Sequence, residues 1–86
     1  MVINNRRSEI EIINEILNLA KDGTRKTRIL YQTNLSYTQL QVYLSFLLKS
    51  NILRMENNNS VKTYKTTEKG LAVMENINKV LKDLRS

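Results

Sequence analysis

Apolar positions follow a helical period up to residue 50, change near residue 52 and return to a helical period after residue 67, and these changes divide the chain into elements. Ile10, Ile13, Ile16, Leu17 and Ala20 recur at three- and four-residue steps until Gly23 interrupts them, and Ser8 with Glu11 forms a capping box ahead of the run. A first helix is expected over 8–21. Ile12 lies off its stripe, as do the preceding Val2 and Ile3, so these three are candidates for covering a neighbouring subunit. Thr24 is the expected cap of a second helix over 25–33, with Ile29 and Leu30 inward and Asn34 as a left-handed terminator. Only Leu35 separates Asn34 from Ser36, which makes a second capping box with Gln39 and opens a third helix over 36–50. Helices joined so tightly must cross steeply, as in a helix-turn-helix.

The third helix has two unlike faces. At about 100° per residue, Leu40, Tyr43, Leu44, Leu47 and Leu48 fall on one arc, while Thr38, Gln41, Val42, Ser45 and Lys49 lie opposite. One face requires a core. The other is short-chained and amide-bearing, suited to reaching base edges in a DNA major groove, so this is the expected recognition helix. Beyond Asn51, Ile52–Glu56 and Val61–Thr66 read as two strands around a four-residue turn, Asn57, Asn58, Asn59 and Ser60, giving a hairpin over 52–66. A basic hairpin after a recognition helix is the wing of a winged helix; the alternative is a stabilising hairpin with a polar tip. Thr67 caps a last helix over 67–84. Its apolar residues form two overlapping series, Met74, Ile77, Leu81, Leu84 and Val73, Ile77, Val80, Leu84. That stripe is wider than one packing surface needs. One edge can dock on the first helix and the other can form a coiled-coil-like seam with a second copy through Val73, Ile77, Val80, Leu81 and Leu84, unless the whole stripe is intramolecular core. The expected fold class is therefore α+β, mostly α: a three-helix core, a hairpin wing and a carboxy-terminal dimerisation helix in one domain, 1–86.

Composition narrows the chemistry. Eighty-six residues bury a modest core, and the absence of cysteine and histidine removes disulfides, thiolate ligands and the commonest general base, so no enzyme, metal site, cofactor or small-molecule ligand is expected. No apolar run approaches membrane-spanning length and the amino terminus lacks a signal-peptide core, so the expected setting is cytoplasmic, at the nucleoid, with no membrane partner. The net charge of +6 is concentrated: between residues 24 and 67, Arg25, Lys26, Arg28, Lys49, Arg54, Lys62 and Lys65 face the single acid Glu56, while the flanks nearly cancel. Three cations in the first turn of the second helix oppose its dipole, a cost that an external anion such as DNA phosphate would offset, the alternative being a solvated basic turn. Double-stranded DNA is the expected partner. Arg25, Lys26, Arg28, Ser36, Tyr37, Lys49 and Lys62 are the candidate phosphate contacts; Thr38, Gln39, Gln41, Val42 and Ser45 the candidate base readers; Asn57, Asn58 and Asn59 the wing tip.

Three runs carry a family resemblance: KDGTRKTRILYQTNLSY (21–37), LLKSNIL (47–53) and YKTTEKG (64–70). The chain resembles ArnR-like archaeal winged-helix regulators and the small dimeric chromatin-associated winged-helix proteins of hyperthermophilic archaea, over nearly its whole length. KTRI followed by NLSY is the more specific signal; Thr-Glu-Lys-Gly before the last helix is widespread among winged helices. The resemblance implies DNA binding as a homodimer joined through the carboxy-terminal helices. It assigns Lys26, Thr27, Arg28 and Asn34–Tyr37 to the helix-turn-helix and Lys62 to the wing. The last helix is shorter than that of the chromatin relatives. The expected function is sequence-preferring transcriptional regulation; an architectural DNA binder and a winged-helix protein-interaction adaptor are the alternatives.

Overall fold

The computed structural model describes residues 8–85, which form α1 (Glu9–Leu19), α2 (Lys26–Thr33), α3 (Tyr37–Lys49), β1 (Leu53–Asn58), β2 (Val61–Thr66) and α4 (Glu68–Arg85). Val2 and Ile3 lie outside the described residues. The class is the expected one, four helices with a two-stranded antiparallel hairpin.

Local chemistry accounts for most helix ends. Both capping boxes close: the Ser8 hydroxyl accepts from the Glu11 amide at 3.1 Å while the Glu11 carboxylate accepts from the Ser8 amide at 3.0 Å, and Ser36 and Gln39 repeat the arrangement. Asn34, at φ 57°, ends α2 in the left-handed conformation. α3 ends in a Schellman motif, with Asn51 at φ 60°, the Asn51 amide donating to the Leu48 carbonyl and the Ile52 amide to that of Leu47. Thr67 caps α4 by accepting from the Gly70 amide at 3.0 Å.

Several details depart from the sequence expectation. α1 ends at Leu19, because Ala20 already has non-helical φ/ψ values of −91° and 5°. Ile10, placed on the inward stripe, is 46% exposed, whereas Ile12 packs on the core. Thr24 does not cap α2. It is buried and pairs with Tyr64 of β2 through two backbone hydrogen bonds of 3.0 and 2.7 Å, leaving α2 with Arg25 at the cap position and no side-chain cap. The wing turn is also tighter than four residues: Asn57 and Asn58 pair with Lys62 and Val61 inside the ladder, and only Asn59 and Ser60 form the loop. Both have positive φ, 51° and 69°, as a type I′ turn demands.

The core joins Ile16, Leu17 and Ala20 of α1 to Ile29 of α2, Leu40, Leu44 and Leu47 of α3, Ile52, Leu53 and Tyr64 at the hairpin base, and Met74 of α4. Each leucine, isoleucine and methionine among them contributes about 1.5–3 kcal/mol on leaving water. The three leucines therefore fix which side of α3 faces out. Thr66 fastens the hairpin to α1, its hydroxyl donating to the Leu17 carbonyl at 2.7 Å and its amide to that of Ala20 at 2.9 Å. α4 then runs back antiparallel along α1, with Asn14 of α1 bonded to Asn78.

Candidate functional site

With Leu40, Leu44 and Leu47 buried, α3 presents Thr38, Gln41, Val42 and Ser45 to solvent, and Val42 is 66% exposed. Gln39 is exposed too, but its side-chain oxygen accepts from the Ser36 amide at 3.0 Å, so the capping box occupies the acceptor that a bidentate base contact would use. Ser36 is similarly engaged, its hydroxyl accepting from Gln39. Lys49 stands exposed in the last turn, where it also complements the helix dipole.

α2 adds positive potential beside the start of α3. Arg25, Lys26 and Arg28 occupy its cap and first turn, with no acid among them. Because Thr24 is committed to Tyr64, no side chain caps the first amides of α2, and a helix amino terminus in this state attracts anions. Arg25 and Arg28 are exposed. Lys26 is half-buried: its ammonium donates to the Tyr37 hydroxyl at 3.0 Å and sits 4.4 Å from the ring centroid. This contact ties the first residue of α2 to the first of α3 across the turn, and two of the three ammonium protons remain for another acceptor. Tyr37 itself is 60% exposed.

On the hairpin, Glu56 is held by Arg54 at 2.9 Å, so the single acid of the basic segment is neutralised within β1. Lys62 is exposed opposite Asn57, next to the two-residue loop, and Asn57, Asn58 and Asn59 are all exposed.

Two features escaped sequence reasoning. Phe46 is 53% exposed and, with Glu9, Ile13, Thr38, Gln39, Val42 and Tyr43, lines an open groove of about 580 Å³ between α1 and α3. A helical wheel already places Phe46 beside Val42, away from the leucine arc. Tyr31, 83% exposed on α2, bears no pattern that would single it out.

Along α4, Met74 is buried and Val73, Ile77 and Leu81 are half-buried, whereas Val80 and Leu84 are 48% and 76% exposed. Val73, Asn76, Ile77 and Val80 form with Ile10 a second, shallower groove of about 200 Å³. No helix among the described residues is long and apolar enough to cross a membrane.

A family model described as winged helix-turn-helix matches residues 6–85. The chain belongs to the winged helix-turn-helix family. Among solved structures, this winged helix is similar to Sso10a-2, a DNA-binding protein from Sulfolobus solfataricus, with a TM-score of 0.81 and 30% identity, over 92% of this chain and 83% of that one. It is also similar to F93 from STIV, a winged-helix DNA-binding protein, with a TM-score of 0.72 and 25% identity, over 92% and 95% of the two chains. The family resemblance carried by the sequence runs is thus borne out. A curated relative, the uncharacterized protein MJ0287 of Methanocaldococcus jannaschii, is 38% identical over 50 residues, 57% of this chain and 52% of its own. The winged-helix chain spans about half the length of that relative.

Proposed function

We propose that this chain binds double-stranded DNA with sequence preference, as a homodimer joined through α4, and regulates transcription at the nucleoid. The observation that carries this reading is the exposed polar face of α3, held outward by three buried leucines, with Lys49 in its last turn and the cationic start of α2 joined to its first residue through Lys26 and Tyr37. Polar groups of this length suit base edges, while surrounding cations suit phosphates. Gln41 offers an amide for adenine, Val42 a methyl surface for thymine, and Thr38 and Ser45 hydroxyls for either partner. Arg25, Arg28 and the clasped Lys26–Tyr37 pair hold one phosphate strand; Lys62 and the asparagine tip reach the adjacent backbone or minor groove. Sso10a-2 and F93, both described as DNA-binding, support the same reading. For the homodimer, the support is an apolar strip in which Val80 and Leu84 of α4 and Ile10 of α1 are exposed beside the half-buried Val73 and Ile77.

One observation favours a second reading, an architectural binder of weak preference. The capping role of Gln39 leaves Gln41 as the single uncommitted amide on the reading face. Selection of bound sites from a random duplex pool, followed by titration against salt, separates the two. A regulator enriches a two-fold motif and binds it at least about 10³ times tighter than random duplex, whereas an architectural binder enriches none. In either case Arg25→Ala/Arg28→Ala should lower the slope of log K against log salt by about 1.8, at roughly 0.9 per phosphate lost. Binding that ignores salt would remove nucleic acid as the partner and leave a protein-interaction role.

A further inference from the structure

The direction of α4 is fixed by polar contacts at two separated points. At its start, the Thr67 hydroxyl donates to the Asn51 carbonyl at 2.6 Å, with the Ile52 carbonyl also within 3.1 Å, and accepts from the Gly70 amide. The Thr67 amide donates to Ile52, and the Lys69 ammonium donates to the Ser50 carbonyl at 2.8 Å. The loop that ends α3 is thereby laced to the first turn of α4. Eleven residues on, about 16 Å along the axis at 1.5 Å per residue, the Asn14 amide of α1 donates to the Asn78 side-chain oxygen at 3.0 Å.

The second contact is an unusual choice. Asn14 faces α4 where apolar residues would pack, and its own side-chain oxygen is buried without a hydrogen-bond partner among the described residues. Such an oxygen costs stability, and polar pairs of this kind have their best-attested use in fixing register. Two fixed points define an axis, whereas an apolar face alone lets helices slide and rotate by small amounts.

We infer that Asn14 and Asn78, acting with the Thr67 joint, are positioning residues that set the direction of α4 against the reading head and thereby the spacing of half-sites a dimer accepts. This rests on the proposed α4-joined dimer on DNA. In such a dimer the distance between the two copies of α3 follows from the angle each α4 makes with its own head, so a small change of angle is multiplied by the length of the lever. Asn14 and Asn78 bond each other between α1 and α4, neither lies on α3, and they act through the placement of the helix.

The test uses duplexes with two inverted half-sites, taken from the random-pool selection, whose separation increases in single base pairs. Wild type should bind its best spacing about tenfold or more tightly over spacings three base pairs away. Asn78→Ala, at an exposed position, should flatten that preference to about threefold or less and leave affinity for a single half-site unchanged. Asn78→Asp keeps the acceptor and should keep the spacing profile. Asn14→Leu/Asn78→Leu should melt no earlier than wild type yet lose spacing selectivity, an outcome that a purely stabilising contact would not give. An Asn78→Ala profile equal to wild type, or equal losses on paired and single half-sites, overturns the inference. A wild type that sediments as a monomer and binds two half-sites no better than one overturns it through the dimer reading instead, and wild type alone reveals that case.

Discussion

Replacing Gly70 by alanine sets two opposed effects against each other, and the structure supplies the terms. A β-carbon on Gly70 would run into the Ile52 carbonyl oxygen and lie 2.7 Å from the Thr66 methyl and 3.2 Å from the Ile52 carbonyl carbon. The oxygen cannot retreat cheaply. It accepts from the Thr67 amide at 3.0 Å and lies 3.1 Å from the Thr67 hydroxyl, so moving α4 away weakens both contacts at about 0.5–1.5 kcal/mol each. Strain in the crowded contact adds about 1–3 kcal/mol. Against this, alanine in place of glycine stabilises a helix by up to about 1 kcal/mol, and less in the first turn than in the interior. The net expectation is a loss of about 3 kcal/mol, within a range of about 1–5, which for a domain of this size lowers Tm by roughly 12–24 °C. Thermal and urea denaturation should be run at one fixed protein concentration, because any dimer makes Tm concentration-dependent. A Gly70→Ala protein as stable as wild type would refute the close approach of the first turn of α4 to the Ile52 carbonyl.

Three further outcomes follow from the same geometry. Gln41→Ala should cost about 1–3 kcal/mol on the selected site and much less on random duplex, because it removes a reading group and no cation; equal losses in a filter-binding comparison would take Gln41 out of the reading set. Val80→Lys places a cation at a half-exposed position on the outer edge of α4, so sedimentation should show dissociation to monomer while circular dichroism stays unchanged; a folded dimer would move the seam elsewhere. Ser60→Gly relieves a side chain held at φ 69° and creates the Asn-Gly pair that type I′ turns favour, so the urea midpoint should rise by the equivalent of up to about 1 kcal/mol, and a fall would show that the Ser60 side chain supports the wing.

What the sequence made legible was the local chemistry. Ser8 with Glu11, Ser36 with Gln39, Asn34 and Thr67 each act within four residues of their partners, and all four appear in the structure in the roles their spacing dictates. The leucine arc of the third helix was equally plain, since a helix whose apolar residues share one side can bury only that side. The failures were of another kind. Thr24 precedes a helix and has the right chemistry for a cap, yet its partner lies forty residues away in β2, and a long-range pairing overrode the local preference. Asn57 and Asn58 look like turn residues in isolation, and only their register opposite Lys62 and Val61 places them in the strand. In the first helix the spacing put Ile10 on the inward stripe and Ile12 off it, whereas Ile12 packs on the core and Ile10 is exposed beside Val73, Ile77 and Val80 of α4, a choice made by tertiary packing that period alone does not contain.

The error at Thr24 bears on the proposed function. A threonine cap would have satisfied an amide at the start of α2 and screened its positive end. With Thr24 drawn into the hairpin, the helix opens on Arg25, Lys26 and Arg28 with no capping side chain and no acid in its first turn. A sequence tuned for the stability of α2 alone would place Asp or Glu there, as the first turn of α1 does with Glu9 and Glu11. The two helices thus give an internal comparison within one chain. α1 has a cap and acids at its start, whereas α2 has neither and meets the start of α3 through Lys26 and Tyr37. The cost falls where an anionic partner would offset it, and the same Thr24–Tyr64 pairing ties the hairpin that carries Lys62 to the segment that carries those cations. The Thr24–Tyr64 pairing and the Lys26–Tyr37 contact thus tie α2 to the hairpin on one side and to α3 on the other, so under the proposed function a duplex engaging one of the three would meet the others in fixed register.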